Sequence, residues 1–109
     1  VLCNQNTKKI VGLSFISNQL DGTLPSELGV LTTLTYFESI GNNIMGKFPD
    51  RLQGLTNLKT AVFAYNQLTG AIPSWIDKWA NLEFLYLSNN LLTGSVPSQM
   101  KSLQQLTVV

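Results

Sequence analysis

Four asparagines, Asn18, Asn42, Asn66 and Asn90, recur every 24 residues along this chain. A carboxamide offers two N–H donors and a carbonyl acceptor. Placed at a turn, it can satisfy backbone groups that the turn leaves unpaired. Four such residues at one spacing predict a ladder of hydrogen bonds whose chemistry is structural, not catalytic. Catalytic side chains are scarce. The sequence holds no histidine and one cysteine, Cys3, which removes His-based triads, histidine metal sites and CxxC redox pairs. No paired carboxylates or nucleophile–base pair appear either, so the expectation is a protein that is not an enzyme, with no catalytic residue, metal or cofactor.

The elements that position these amides follow from the same spacing. Gly22, Gly46, Gly70 and Gly94 keep register with the asparagines, and so do Pro25, Pro49, Pro73 and Pro97, which are all four prolines of the chain. A fixed period of about 20–29 residues marks a solenoid of stacked coils. Before each asparagine the sequence alternates, which is a strand signal. One strand per coil, stacked in parallel, builds a continuous sheet with neighbours about 4.8 Å apart.

The inward columns of that sheet are Leu13, Phe37, Ala61, Leu85, Val109 and then Phe15, Ser39, Phe63, Leu87. After the asparagine come Leu20, Ile44, Leu68, Leu92; then Leu24, Phe48, Ile72, Val96; then Leu28, Leu52, Ile76, Met100. Phe37 beside Ala61, and Ser39 between Phe15 and Phe63, suggest matched sizes in a close-packed core. Trp79 takes a core leucine's place and is expected to be buried. The prolines exclude a helix starting at their own position, so Ser26–Gly29 and Ser74–Lys78 have room for about one turn of 3₁₀ character.

The alternate residues of each strand face the opposite side. Tyr36, Thr60 and Phe84 share the first outward column, with Val108 next in line. Glu38, Val62 and Tyr86 share the second, Ile40 lies in the third and Tyr65 in the fourth. These eight form a candidate partner-binding face, because tyrosine and other aromatics supply rigid amphipathic contact area. Strand propensity alone also favours such residues. Trp75, whose column equivalents are Glu27, Arg51 and Gln99, is expected to lie exposed on the convex side. There it would be a second contact point or fold back over Lys78.

Charge narrows the partner class. Seven basic and six acidic residues are scattered singly, for a net charge of +1. No basic stripe exists to track a phosphate backbone, so nucleic acid is not the expected partner. No apolar run nears the roughly 20 residues of a membrane span, so this segment is not expected to insert into a membrane.

The lines LTNLKTAVFAYNQLTGAIPSWIDK and WANLEFLYLSNNLLTGSVPSQMKS resemble, nearly position by position, the plant-specific class of leucine-rich repeats. That resemblance covers about residues 7 to 109. It implies a right-handed repeat solenoid, mostly β within the α/β class, with a parallel sheet on its concave face and short 3₁₀ segments on its convex side. It also implies an extracellular or lumenal recognition domain, as in receptor-kinase ectodomains, receptor-like proteins and inhibitors of pectin-degrading enzymes. The expected division is 1–6 as the remnant of an N-terminal cap, repeats at 7–30, 31–54, 55–78 and 79–102, and 103–109 as the start of a fifth, within a larger protein. The family's cap cysteine pairs just upstream, and no such partner precedes Cys3, so Cys3 is expected to be unpaired. Two departures stand out: no N-x-Ser/Thr sequon, and an irregular second repeat reading SIGNNIMGKFPD. The function expected is recognition of a protein or peptide on the concave face. The alternatives are a structural or assembly element, or recognition of cell-wall polysaccharide or an enzyme to be inhibited.

Overall fold

The alternating segments become the strands of one six-stranded sheet in a computed structural model that describes residues 1–103 and 106–108. β2 (Ile10–Ile16), β4 (Tyr36–Ile40), β6 (Thr60–Val62), β8 (Phe84–Tyr86) and β9 (Thr107–Val108) stack in parallel. From β2 to β8 the pairing follows the 24-residue register, with Tyr36 opposite Thr60 and Thr60 opposite Phe84. β1 (Leu2–Cys3) runs antiparallel along the outer edge of β2 and covers its free backbone groups. Cys3 is free and exposed.

Each proline lies in extended backbone, with φ of −72° at Pro25 and −62° at Pro97, and a five-residue 3₁₀ turn follows it. These turns cover Ser26–Val30, Asp50–Gly54, Ser74–Lys78 and Ser98–Ser102. They stack on the side away from the large sheet. Gly29 is required there: a side chain at that position would collide with the Arg51 carbonyl of the next coil.

A second, three-stranded parallel sheet was not foreseen. It consists of β3 (Asp21–Thr23), β5 (Asn43–Gly46) and β7 (Gln67–Leu68), just after the asparagine of each of the first three coils. Its strands have two to four residues, and the first is exposed throughout, with no alternation.

The core takes in Leu52, Leu68, Ile76 and Leu85 from the predicted columns, and Trp79, together with Leu34, Leu58 and Leu82 just before the strands. Trp79 is buried, and its indole N–H donates to the Leu52 carbonyl at 2.7 Å. Ser39 is fully buried beside Phe37 and Phe63, whose rings stand 5.2 Å apart, while Phe48 meets Phe63 edge-on at 5.0 Å. Two inward expectations fail in the first and last of these coils, where Leu20 and Val96 are exposed. In the last strand the pairing slips by one: Phe84 faces Thr107 and Leu85 faces Val108. Val109, assigned to the inward column, lies outside the described residues.

The asparagine ladder has three rungs. Each Oδ1 accepts the backbone N–H 22 residues earlier, Asn42 from Leu20, Asn66 from Ile44 and Asn90 from Leu68, at 3.0–3.2 Å. Each Nδ2 donates to the carbonyl 27 residues earlier, at Phe15, Ser39 and Phe63. Asn18 is a correction. It is exposed, and it contributes its backbone N–H, which donates to Asn42 Oδ1 at 3.1 Å. Each rung binds the coil before it, and among the described residues no coil lies before that of Asn18.

Replacing Asn66 by Ala strands the Ile44 N–H and the Ser39 carbonyl in a buried site, each worth about 1–3 kcal/mol. Chemical denaturation should show a loss of about 3 kcal/mol for Asn66→Ala and under about 0.5 kcal/mol for Asn18→Ala. Equal losses at the two positions would refute the three-rung ladder. Ala61 is wholly buried against Phe37, so Ala61→Leu should overpack the core and lose about 1–3 kcal/mol. An unchanged thermal midpoint would show that the column has spare room.

Candidate interaction surface

The outward residues of β4, β6 and β8 come together on the open face of the large sheet. Strand pairing sets Tyr36, Thr60 and Phe84 in one row and Glu38, Val62 and Tyr86 in the next. Phe84 and Tyr86 hold their rings nearly parallel, at 9° and 6.3 Å between centroids. Ile40 is half-buried in β4, next to Ile16 of β2. Seven of the nine predicted contact residues thus share one surface within three adjacent strands.

Val62 departs from expectation. It is 7% exposed, and Ala64, two residues on, is equally covered. Both point to the open side but are short, and Val62 lies between the taller Glu38 and Tyr86. They form a floor, not an exposed anchor.

Tyr65 stands just past β6 and is 59% exposed. Its φ is +57°, a left-handed conformation. Ser17, Gly41 and Asn89 occupy the same place in their coils and share that conformation, at +49°, +68° and +59°. Each residue precedes a ladder position, and the positive φ swings the next side chain inward. Glycine and asparagine suit the site, whereas a tyrosine there bears about 1–2 kcal/mol of strain. The hydrogen bonding persists through the bend: Tyr65 N–H donates to the Ser88 carbonyl at 3.0 Å.

Glu38 is held from below. Ser14 Oγ in β2 donates to its Oε2 at 2.6 Å. Ser14 was not singled out from the sequence, although it sits 24 residues before Glu38 in the same column. Tyr36 lies on the same strand, two residues from Glu38. Burial raises its hydroxyl above the ordinary value, and the neighbouring Glu38 carboxylate adds to the effect.

Trp75 does not belong to this surface. It is half-buried on the far side, its indole N–H donating to Asp50 Oδ1 at 3.0 Å and its ring set edge-on to Trp79 at 5.5 Å. It folds back over the preceding coil, not over Lys78. An amphipathic ring with an acidic neighbour one coil earlier is better served by that pairing than by full exposure.

A wide cleft also runs along the edge where the strands begin, lined by Lys9, Thr33, Asn57, Lys59 and Asn81. Three of its polar side chains are already engaged with backbone. Thr33 Oγ1 donates to the Ile10 carbonyl, Asn57 Nδ2 to Thr32 and Asn81 Nδ2 to Thr56, at 2.6–3.0 Å. This outer ladder was missed because it mixes Thr with Asn at one position.

The Tyr36 shift carries a sign. A raised value means that folding favours the neutral phenol, so this stabilising contribution is complete below pH 10.0, the ordinary tyrosine value, and fades as pH climbs through the raised one. A carbon-resolved NMR titration should place the Tyr36 midpoint above 10.0, and Glu38→Gln should lower it. Identical midpoints in the two proteins would contradict the assigned contribution of Glu38.

Comparison with known proteins agrees with this geometry. The Leucine Rich Repeat family model matches residues 81–103. A chain of the BIR3–SERK2 complex from Arabidopsis thaliana is 34% identical over 98% of this chain, with a TM-score of 0.90. The BIR2 ectodomain from Arabidopsis thaliana is 28% identical over 97%, with a TM-score of 0.91. The HAESA ectodomain of Arabidopsis, solved with an N-terminally extended IDA peptide hormone, is 33% identical over 92%, with a TM-score of 0.88. The present chain spans 58%, 56% and 17% of those three chains. Comparison with curated proteins by sequence finds no match. With the same frame in the sequence and the same stacked sheet in the fold, the chain is a leucine-rich-repeat solenoid, similar to those of solved plant receptor-kinase ectodomains.

Proposed function

We propose that this chain is a recognition module that binds an extended segment of a protein or peptide across its concave face. The observation that carries this reading is Tyr65. A large aromatic side chain stands 59% exposed on a left-handed backbone, where the scaffold alone would favour glycine or asparagine. Strain held at an exposed position is a mark of function in place of stability. Phe84, 40% exposed, and Tyr86 supply further aromatic area on the same side.

The contact set of this reading is Tyr36, Glu38, Ile40, Thr60, Tyr65, Phe84 and Tyr86, with Val62 as floor. Residues 7–30, 31–54, 55–78 and 79–102 act as one continuous unit. Binding, not catalysis, fits a face whose polar groups are one carboxylate and several hydroxyls. The HAESA ectodomain was solved with a peptide hormone, and by analogy we assign this module to the outside of the cell, as part of a longer receptor-like protein. A polysaccharide or a purely architectural role is the competing outcome.

Panning a displayed random-peptide library on the folded chain tests the reading. Enriched peptides should lose at least about tenfold in affinity, or 1.4 kcal/mol, on the Tyr36→Ala/Tyr86→Ala double variant. On Tyr65→Asn they should weaken similarly, while the thermal midpoint holds or rises as the strain is relieved. Enriched peptides that bind all three proteins alike, or no enrichment at all, would sink the concave-face reading.

A further inference from the structure

The open face is not flat. Its middle strand is low, and at Val62 the strands on both sides are high. Along coil three the outward residues are Thr60, Val62 and Ala64, and the last two are each only 7% exposed. Coil two raises Tyr36, Glu38 and Ile40 on one side, and coil four raises Phe84 and Tyr86 on the other. Two strand spacings separate the walls, about 9.5 Å between backbones. The result is a trough running parallel to the strands, with Tyr65 standing at its far end.

The two walls differ in chemistry. One carries Glu38, the only charge among the outward residues of these strands. Its Oε2 is held by Ser14 Oγ at 2.6 Å, which fixes the carboxylate while leaving it further lone pairs, since a carboxylate has about four acceptor sites. Among the described residues no lysine or arginine forms an ion pair with it. The other wall presents two parallel rings, Phe84 and Tyr86. A planar cation is the one common side chain that suits both walls at once. A guanidinium lies favourably against an aromatic face and pairs with a carboxylate through its fork of donors.

Building on the proposed function, we infer that the trough over coil three is a subsite for one arginine side chain of the bound peptide. Glu38 pairs with the guanidinium, Phe84 and Tyr86 stack against it, and Val62 and Ala64 exclude water beneath its aliphatic stem. A lysine fits less well, because its compact, strongly hydrated ammonium gains less from a ring face and makes no bidentate pair.

The peptides enriched from the random library provide the probe. They should share an arginine at one fixed position. Exchanging it for citrulline, which keeps the shape and loses the charge, should weaken binding to the wild-type chain about tenfold. On Glu38→Gln the same exchange should change affinity less than about twofold, because the coupling disappears in the double-mutant cycle. Raising the salt concentration should narrow the arginine–citrulline difference on the wild type. An equal effect of citrulline on both proteins, or enriched peptides with no shared cation, overturns the arginine subsite while the binding face stands. Failure to enrich any peptide overturns both.

Discussion

Everything in this molecule depends on a side-chain amide bonded to a coil that is not its own. Asn42, Asn66 and Asn90 each join a carbonyl 27 residues back to an N–H 22 residues back. In a β-sheet the backbone partners come from neighbouring strands. At the bend after each strand the backbone ladder continues only in part, through bonds such as Tyr65 N–H to the Ser88 carbonyl, and the remaining buried polar groups there would be left unpaired. The amide supplies what the ladder cannot. It lets the chain leave one sheet, turn through a left-handed residue and enter the second sheet without burying an unsatisfied group. The prolines and 3₁₀ turns then complete a coil whose ends already fit those of its neighbours.

Much of this was written in the sequence because it recurs. The period, the strands of the large sheet, the 3₁₀ turns after each proline and the burial of Trp79 follow from columns that hold across four repeats. What was not legible depends on neighbours of unequal size or on single positions. Val62 reads as an outward valine in a strand, and only the height of Glu38 and Tyr86 beside it turns it into a floor. Trp75 reads as exposed because its equivalents are polar, yet one of those coils offers Asp50, and a hydrogen bond draws the ring down. The second sheet escaped because its first strand is exposed throughout and shows no alternation. Asn18 carries the full frame, but its role depends on a coil before it.

The candidate surface shows the same division. The period assigns each residue a side, which located Tyr36, Glu38, Phe84 and Tyr86 together. Relief is a different matter, because it arises from differences between coils, which a repeat frame averages away. The support of Glu38 by Ser14 and the strain at Tyr65 are likewise local departures from the common pattern. A repeat scaffold places its function where it stops repeating.

The unequal core residues have a further consequence. If every coil were the same, the stack could slip by one repeat, or exchange a coil with another molecule, and keep its hydrogen bonds, since from β2 to β8 their pattern repeats every 24 residues. Phe37 over Ala61, and Ser39 beside Phe63, remove that degeneracy. A slipped stack would set Phe37 against a bulky Leu85 and leave a void elsewhere, so the pairing energy differs between the right order and any shifted one. The core thus works as a key as well as a filling, and it gives an otherwise periodic molecule a single permitted sequence of coils.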